Sequence, residues 1–280
     1  NPETLDLYAK NRLTVTRQLF YGENHAKSLD LVLFLNGLPV VTAELKNPLS
    51  GLTVEDAKTQ YKKDRDAREL IFEFKKRALV HFAVDQDQVF MATRLAGDKT
   101  YFLPFNLGNG GHAGNPPAAD GGYRTAYLWR EVWQRDSLLD ILGRFMHLQV
   151  EEKRILSDEG IRKITRETMI FPRYHQLDAV RRLVAHARNY GPGRNYLVQH
   201  SAGSGKSNSI AWLAHRLSSL HDADDKKIFD SVIVVTDRRV LDQQLQNTIY
   251  QFEHKQGVVQ KIDEDTRQLV QALATGTPII

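Results

Sequence analysis

Residues 200–207 read His200-Ser-Ala-Gly-Ser-Gly-Lys-Ser207, a run suited to a chain that leaves a strand, curls tightly and enters a helix. Glycines accept the positive φ that such a curl requires. An apolar run, Tyr196–Gln199, precedes it and a helical pattern over 206–220 follows it. A loop of this shape turns successive N–H groups inward, and the helix N-terminus adds positive potential. It is therefore built to hold phosphate oxygens. Gly203, Ser204 and Gly205 supply the backbone cradle, Lys206 would reach the β- and γ-phosphates of a nucleotide, and the Ser207 hydroxyl would take Mg²⁺. The strict pattern asks for glycine where His200 stands. The competing reading is a plain Gly/Ser turn ahead of a helix, and the strand–loop–helix setting favours the phosphate site.

The surroundings extend the pattern. A helix is predicted over 174–188, then a Gly191-Pro-Gly193 turn, the strand, the loop and the second helix. A further strand, Ser231–Thr236, leads into a helix beginning near Asp237. Strands alternating with helices predict an α/β lobe on a parallel sheet.

The first half reads differently. Residues 12–21 alternate as a strand, and Ser28–Leu35 and Leu38–Lys46 flank Asn36-Gly37, a strong hairpin signal. Leu29, Leu31, Leu33 and Leu35 line one face of the first of these strands, Val32 and Phe34 the other, so it belongs inside a sheet. Thr53-Val-Glu-Asp56 starts a helix expected to run to about Phe74. Leu79–Val84 and Val89–Thr93 form a second hairpin, and Ser137–Gln149 has helical spacing. The Gly/Pro/Asn-rich stretch 106–122 is too long for an ordinary turn and predicts a functional or mobile loop. Residues 151–170 are charged and lack strong strand signals, which places a linker there between domains at 1–150 and 171–280.

The 28–46 hairpin carries the second site. Asp30 begins a strand that is otherwise apolar, and Glu44-Leu45-Lys46 follows Val40-Val41-Thr42-Ala43. A charge so placed needs a partner or a metal. Two neighbouring carboxylates can hold a divalent cation, the cation can activate water, and Lys46 can stabilise a developing oxyanion. The bland alternative is an ion pair at a strand end. Register decides between them. A regular two-residue Asn36-Gly37 turn pairs residue 30 with 43 and puts Asp30 and Glu44 on opposite faces. A shared site requires a three-residue loop or a β-bulge.

Composition sets limits only. With no cysteine, disulfides, thiol catalysis and cysteine-bound zinc are excluded. No apolar stretch is long enough to span a bilayer, and the expected location is the cytoplasm. The 38 basic residues against 34 acidic ones lean weakly toward a polyanionic partner. The ten histidines lack the His-Glu-x-x-His spacing of a zinc site. Lys58, Lys62 and Arg65 form a basic stripe at helical spacing, but the interleaved Asp56, Asp64 and Asp66 favour a solvated face over a phosphate track. An initial Asn1 and a strand-like Thr277-Pro-Ile-Ile280 suggest a piece of a longer chain.

Asp30…Glu44-x-Lys46 resembles the core of the PD-(D/E)xK-type nucleases, and Ser201–Ser207 resembles the phosphate loop of superfamily 2 helicase motors with a RecA-like lobe. Phe171-Pro-Arg-Tyr-His-Gln176 resembles the adenine-reading element of those motors, which would give Gln176 to the base. Val234–Gln244 resembles their segment that touches the DNA backbone, with Thr236 as a phosphate contact. In many nuclease relatives Gln-x-x-x-Tyr follows on the next helix. Gln60 fits the first position, but Asp64 stands where the tyrosine belongs and Tyr61 is adjacent, which leaves the tyrosine's role open.

The order of the two motifs, with Asn11-Arg-Leu-Thr-Val-Thr-Arg-Gln18 near the start, resembles the restriction subunit of type I restriction enzymes. That resemblance implies Mg²⁺-dependent cleavage of double-stranded DNA, ATP-driven translocation, and methyltransferase and specificity subunits as partners. It gives Asp30 and Glu44 to Mg²⁺, Lys46 and Gln60 to catalysis, and Lys206 and Ser207 to ATP·Mg²⁺. The acidic Mg²⁺ motif and arginine fingers of a complete ATPase do not follow within these residues, so weak ATP binding without efficient hydrolysis is expected of them alone. The rivals are a repair or recombination helicase–nuclease and a non-catalytic DNA-binding scaffold.

Overall fold

The computed structural model describes residues 2–157, 160–236, 239–252, 257–263 and 265–280. The chain divides into two compact units, Asn1–Met146 with Thr168–Arg173, and His147–Glu167 with Tyr174–Ile280.

The first unit opens with a short helix, α1 (Pro2–Ala9), and is built on a six-stranded sheet. Its strands are β1 (Leu13–Phe20), β2 (Ser28–Leu35), β3 (Leu38–Leu45), β4 (Val80–Val84), β5 (Val89–Ala92) and β6 (Leu103–Pro104), adjacent in that order. Every neighbouring pair is antiparallel except β3 and β4, which run parallel. A parallel pair needs a crossover, and α2 (Val54–Lys63) lies within it. Val54, Ala57 and Tyr61 recur at helical spacing as its buried face. The side chain of Thr53 accepts from the Glu55 N–H, and Asp56 reaches back to the Thr53 N–H. Asp85, at the far end of β4, is buried and accepts from the Val54 N–H at 2.8 Å, tying the helix start to the sheet.

The predicted continuation of α2 to Phe74 does not occur. The helix ends with Asp64 as its C-cap. Asp66 then accepts from the Arg68 N–H at 2.9 Å, and such a local side-chain bond offers the backbone an alternative to the helix. The long loop 106–122 is anchored by buried Asn115, which accepts from Leu107 N–H and donates to Asp87 O and to Asn106. The last helix of this unit, α3 (Arg135–Arg144), stops short of the expected Gln149 because β7 (His147–Ser157) begins there.

Residues 151–170 are not a linker devoid of strand: β7 and β8 (Gly160–Ile170) form a two-stranded sheet. Pairing through the backbone imposes no apolar alternation of its own, so the ribbon's charged sequence concealed it. Thr168–Arg173 returns to the first unit, where Phe171 packs edge-on against Phe82.

The second unit carries α4 (Tyr174–Tyr190), α5 (Lys206–Ser218), α6 (Arg239–Gln251) and α7 (Thr266–Ala274). Both predicted helices flanking the glycine loop are present. The predicted strands are reduced. Among the described residues nothing pairs with Tyr196–Gln199, and Leu197 is 91% exposed. Ser231–Thr236 is not a full strand. Val232 and Val259 each bridge Ile279 in parallel, and His221 bridges Lys227 in the antiparallel sense. The predicted start of the following helix at Asp237 lies outside the described residues, as do the side chains of 239–244.

Candidate functional site

The β2–β3 hairpin has both a two-residue turn and a bulge. Asn36 at φ 52° and Gly37 at φ 84° make the turn, and Leu35 pairs with Leu38. Phe34 then pairs with Pro39, but Leu33 pairs with Val41, so Val40 is the extra residue. Pro39 has no N–H to give to a ladder, and proline within sheets is confined to edges, strand starts and bulges. Beyond the bulge Leu31 pairs with Ala43, which brings Asp30 opposite Glu44 on one face. The register thus meets the requirement set by the two acids.

Asp30 is half-buried. Its Oδ2 accepts from the Leu45 N–H at 2.8 Å and its Oδ1 from the Gln18 side-chain amide at 3.0 Å. Glu44 is fully buried. Its Oε1 accepts from Arg65 Nε at 2.7 Å and lies 2.6 Å from the second guanidinium nitrogen. Its Oε2 is buried with no hydrogen-bond partner. Burial pushes the Glu44 carboxyl up to about 7, Arg65 opposes that rise, and the negative charge of Asp30 adds to it. Burial is the larger influence because both partners of the Arg65–Glu44 pair are almost wholly removed from water. Lys46 follows β3 directly, its N–H donating to Val84 O at 2.8 Å, and its ammonium donates to Gln60 Oε1 on α2. The structure therefore sets Asp30 opposite Glu44, and pairs Lys46, two residues beyond Glu44, with Gln60.

Tyr61 does not reach the acids. Its hydroxyl meets Thr42 Oγ1 at 2.8 Å, and Thr42 also contacts His81 Nδ1 at 2.8 Å. Burial holds His81 down at about 3, so it is neutral. The basic stripe does not exist as one surface. Lys58 pairs with Glu55 and lies over the Phe90 ring, and Arg65, past the helix end, is buried against Glu44. Sequence reasoning placed Arg65 on a solvated face and had no role for Gln18. Arg65 approaches Glu44 only through the tertiary fold, and spacing along α2 gave no sign of it.

In the second unit the glycine loop enters α5 with Gly203 at φ 72° and Gly205 at φ 79°. The positive φ calls for glycine at 205, where an added Cβ would also press on the Gln176 side-chain amide at 2.5 Å. Gln176 is buried, and its amide donates to Gly205 O at 2.8 Å, while His175 Nε2 lies 3.1 Å from Ser204 O. The structure thus uses Gln176, the predicted base reader, to hold the loop. Lys206 is exposed and donates to His200 O at 3.0 Å and Ser201 O at 2.9 Å. Ser204 is buried, and Ser207 stands half-buried in the first turn of α5. Thr236 is half-buried beside the Val232–Ile279 bridge.

No helix among the described residues is long and apolar enough to cross a membrane. Among the described residues there is also no cluster of three or more His, Cys, Asp or Glu side chains able to hold a metal.

Residues 4–100 match the family described as Type I restriction enzyme R protein N terminus, and residues 175–280 match that described as SWI2/SNF2 ATPase. A Methanocaldococcus jannaschii protein bearing the name of a type I restriction enzyme MjaVIIIP endonuclease subunit is 26% identical over 246 residues, 86% of this chain and 21% of its own length. The Type I restriction enzyme HindI endonuclease subunit of Haemophilus influenzae is 25% identical over 274 residues, 95% of this chain and 24% of its own length. The chain therefore spans less than a quarter of each of these relatives. On these matches, the chain is a relative of the restriction, or R, subunits of type I restriction enzymes.

Proposed function

We propose that the first unit is a Mg²⁺-dependent DNA nuclease of the PD-(D/E)xK type. In the same reading the second unit opens a RecA-like, ATP-driven DNA translocase. The observation that carries the nuclease half is the Val40 bulge, which puts Asp30 and Glu44 on one face while leaving Glu44 Oε2 unpartnered. An all-oxygen pair of carboxylates suits a hard divalent cation, and a buried, orphaned carboxylate oxygen is a donor in need of a partner. The residues present therefore fit Mg²⁺, held by Asp30 and Glu44. When bound, such an ion lowers the pKa of a coordinated water and offsets charge on the phosphate. Glu44 must give up its proton before it can act as a ligand. Lys46, bonded to Gln60 and two residues beyond Glu44, would supply the positive charge that stabilises the attacking or leaving oxygen.

In the second unit Lys206 would exchange two loop carbonyls for phosphate oxygens of ATP, and Ser207 would hold its Mg²⁺. The names of the relatives favour a restriction enzyme over a stand-alone repair enzyme, and the reading carries with it methyltransferase and specificity subunits as partners, double-stranded DNA as substrate and the cytoplasm as location. Cleavage of plasmid DNA by the complete complex tests the reading. Lys46→Ala is expected to cut at least about a hundredfold more slowly than wild type while still hydrolysing ATP. Wild-type cutting by that variant removes the catalytic assignment.

A further inference from the structure

Gln18 combines two features that nothing in the proposed chemistry accounts for. It is a non-glycine residue at φ 49°, inside a strand whose neighbours keep regular extended pairing. Arg17 pairs with Leu31 and Leu19 with Leu29, so Gln18 stands opposite Asp30 yet is left out of the ladder. No residue is inserted, and the register is the same on either side. The left-handed conformation is unfavourable for a side chain such as glutamine. A residue kept there has to be held by its surroundings, and such residues gather at functional sites.

What the distortion achieves is visible in the side chain. The Gln18 amide nitrogen donates to Asp30 Oδ1 at 3.0 Å, and Ser28 Oγ donates to Gln18 Oε1 at 2.9 Å, which fixes which end of the amide faces the acid. The Leu45 N–H holds the other oxygen of Asp30. Asp30 is thereby gripped from both neighbouring strands, with its rotation blocked.

We propose that Gln18 is a positioning residue that orients Asp30 for a divalent cation, its strained backbone being retained for that contact. The inference rests on the reading of Asp30 and Glu44 as a cation site. Partners of metal ligands of this kind are worth roughly 10–100-fold in metal affinity.

The test uses the full-length chain without nucleotide, with Mn²⁺ as probe, free Mn²⁺ read by its paramagnetic resonance signal and thermal unfolding measured on the same samples. Gln18→Gly relieves the backbone strain, which offsets the conformational entropy that glycine adds to the unfolded chain, so its melting temperature should stay close to that of wild type. Its Mn²⁺ affinity at the hairpin site should nonetheless fall about tenfold or more. A residue that only shapes the strand would not separate the two readouts in this way. Gln18→Asn is the second variant: asparagine tolerates the left-handed backbone, but its amide is one methylene too short to reach Asp30, and the same loss is expected. Wild-type Mn²⁺ affinity in either folded variant overturns the inference. Asp30→Asn should abolish the site. If instead Asp30→Asn binds as wild type does, the cation site itself is wrong, an outcome distinct from failure of the Gln18 variants alone.

Discussion

Arg65 directs two nitrogen donors, at 2.7 and 2.6 Å, onto a single oxygen of Glu44 and leaves the other oxygen free. The same guanidinium also donates to Ser28 O at 2.7 Å, so it is fixed by β2 while it fixes an acid of β3. Breaking a buried pair by removing one partner costs more than the pair contributes, because a charge is stranded. Arg65→Ala is therefore expected to lose about 3–5 kcal/mol of unfolding free energy at pH 8. The loss should shrink at pH 5, where the Glu44 carboxyl, raised to about 7, already carries its proton and no charge is stranded. Urea unfolding at the two pH values measures both, and an equal loss at each would contradict the pairing.

The raised carboxyl of Glu44 has its own consequence for stability. Its value climbs from an ordinary 4.5 to about 7 on folding, so the folded chain binds the extra proton in that interval. Stability from this group is fully present below about 4.5 and is lost as pH rises through about 7. Glu44→Gln should therefore flatten the fall in stability between these values in metal-free buffer, and should be the more stable form above pH 7. Identical pH profiles for the variant and wild type would remove Glu44 as the source.

Asp85 links the β4–β5 turn to the helix start. It accepts from Val54 N–H at 2.8 Å, from Asp87 N–H at 2.8 Å and from Gln88 N–H at 2.7 Å. Asp85→Ala strands these donors, and a loss of about 1–2 kcal/mol is expected. Because α2 carries Gln60, plasmid cleavage should weaken along with stability. Denaturant unfolding and a cleavage assay on the same preparation check this.

Lys206 is held by two carbonyls of its own loop, so its removal should leave the loop's fold intact. Lys206→Ala is expected to abolish ATP hydrolysis by the full-length protein while Mn²⁺ binding at the hairpin stays at the wild-type level. Retained ATPase activity would mean that the glycine loop does not bind the triphosphate.

The bulge was legible because the sequence poses a conflict that only a bulge or a longer turn resolves: an Asn-Gly turn, and two acids that need one face. Pro39 supplied a physical cause visible in the same segment. Arg65 and Gln18 were not legible. One meets its partner across a tertiary contact, and the other adopts a backbone conformation that glutamine does not advertise. Tyr196–Gln199 shows the opposite error. Its apolar run records a tendency to form a strand, but a strand exists only with a paired neighbour, and the described residues place none beside it. The ribbon of β7 and β8 was missed because pairing through the backbone alone leaves little trace in charged side chains.

Crystals of the full-length protein soaked in Mn²⁺ and measured for anomalous scattering test most directly whether the two acids form one cation site. The account predicts a peak roughly 2.0–2.4 Å from both Asp30 and Glu44 Oε2, with Arg65 still on Glu44 Oε1. A map at saturating Mn²⁺ with no peak between these carboxylates would contradict it.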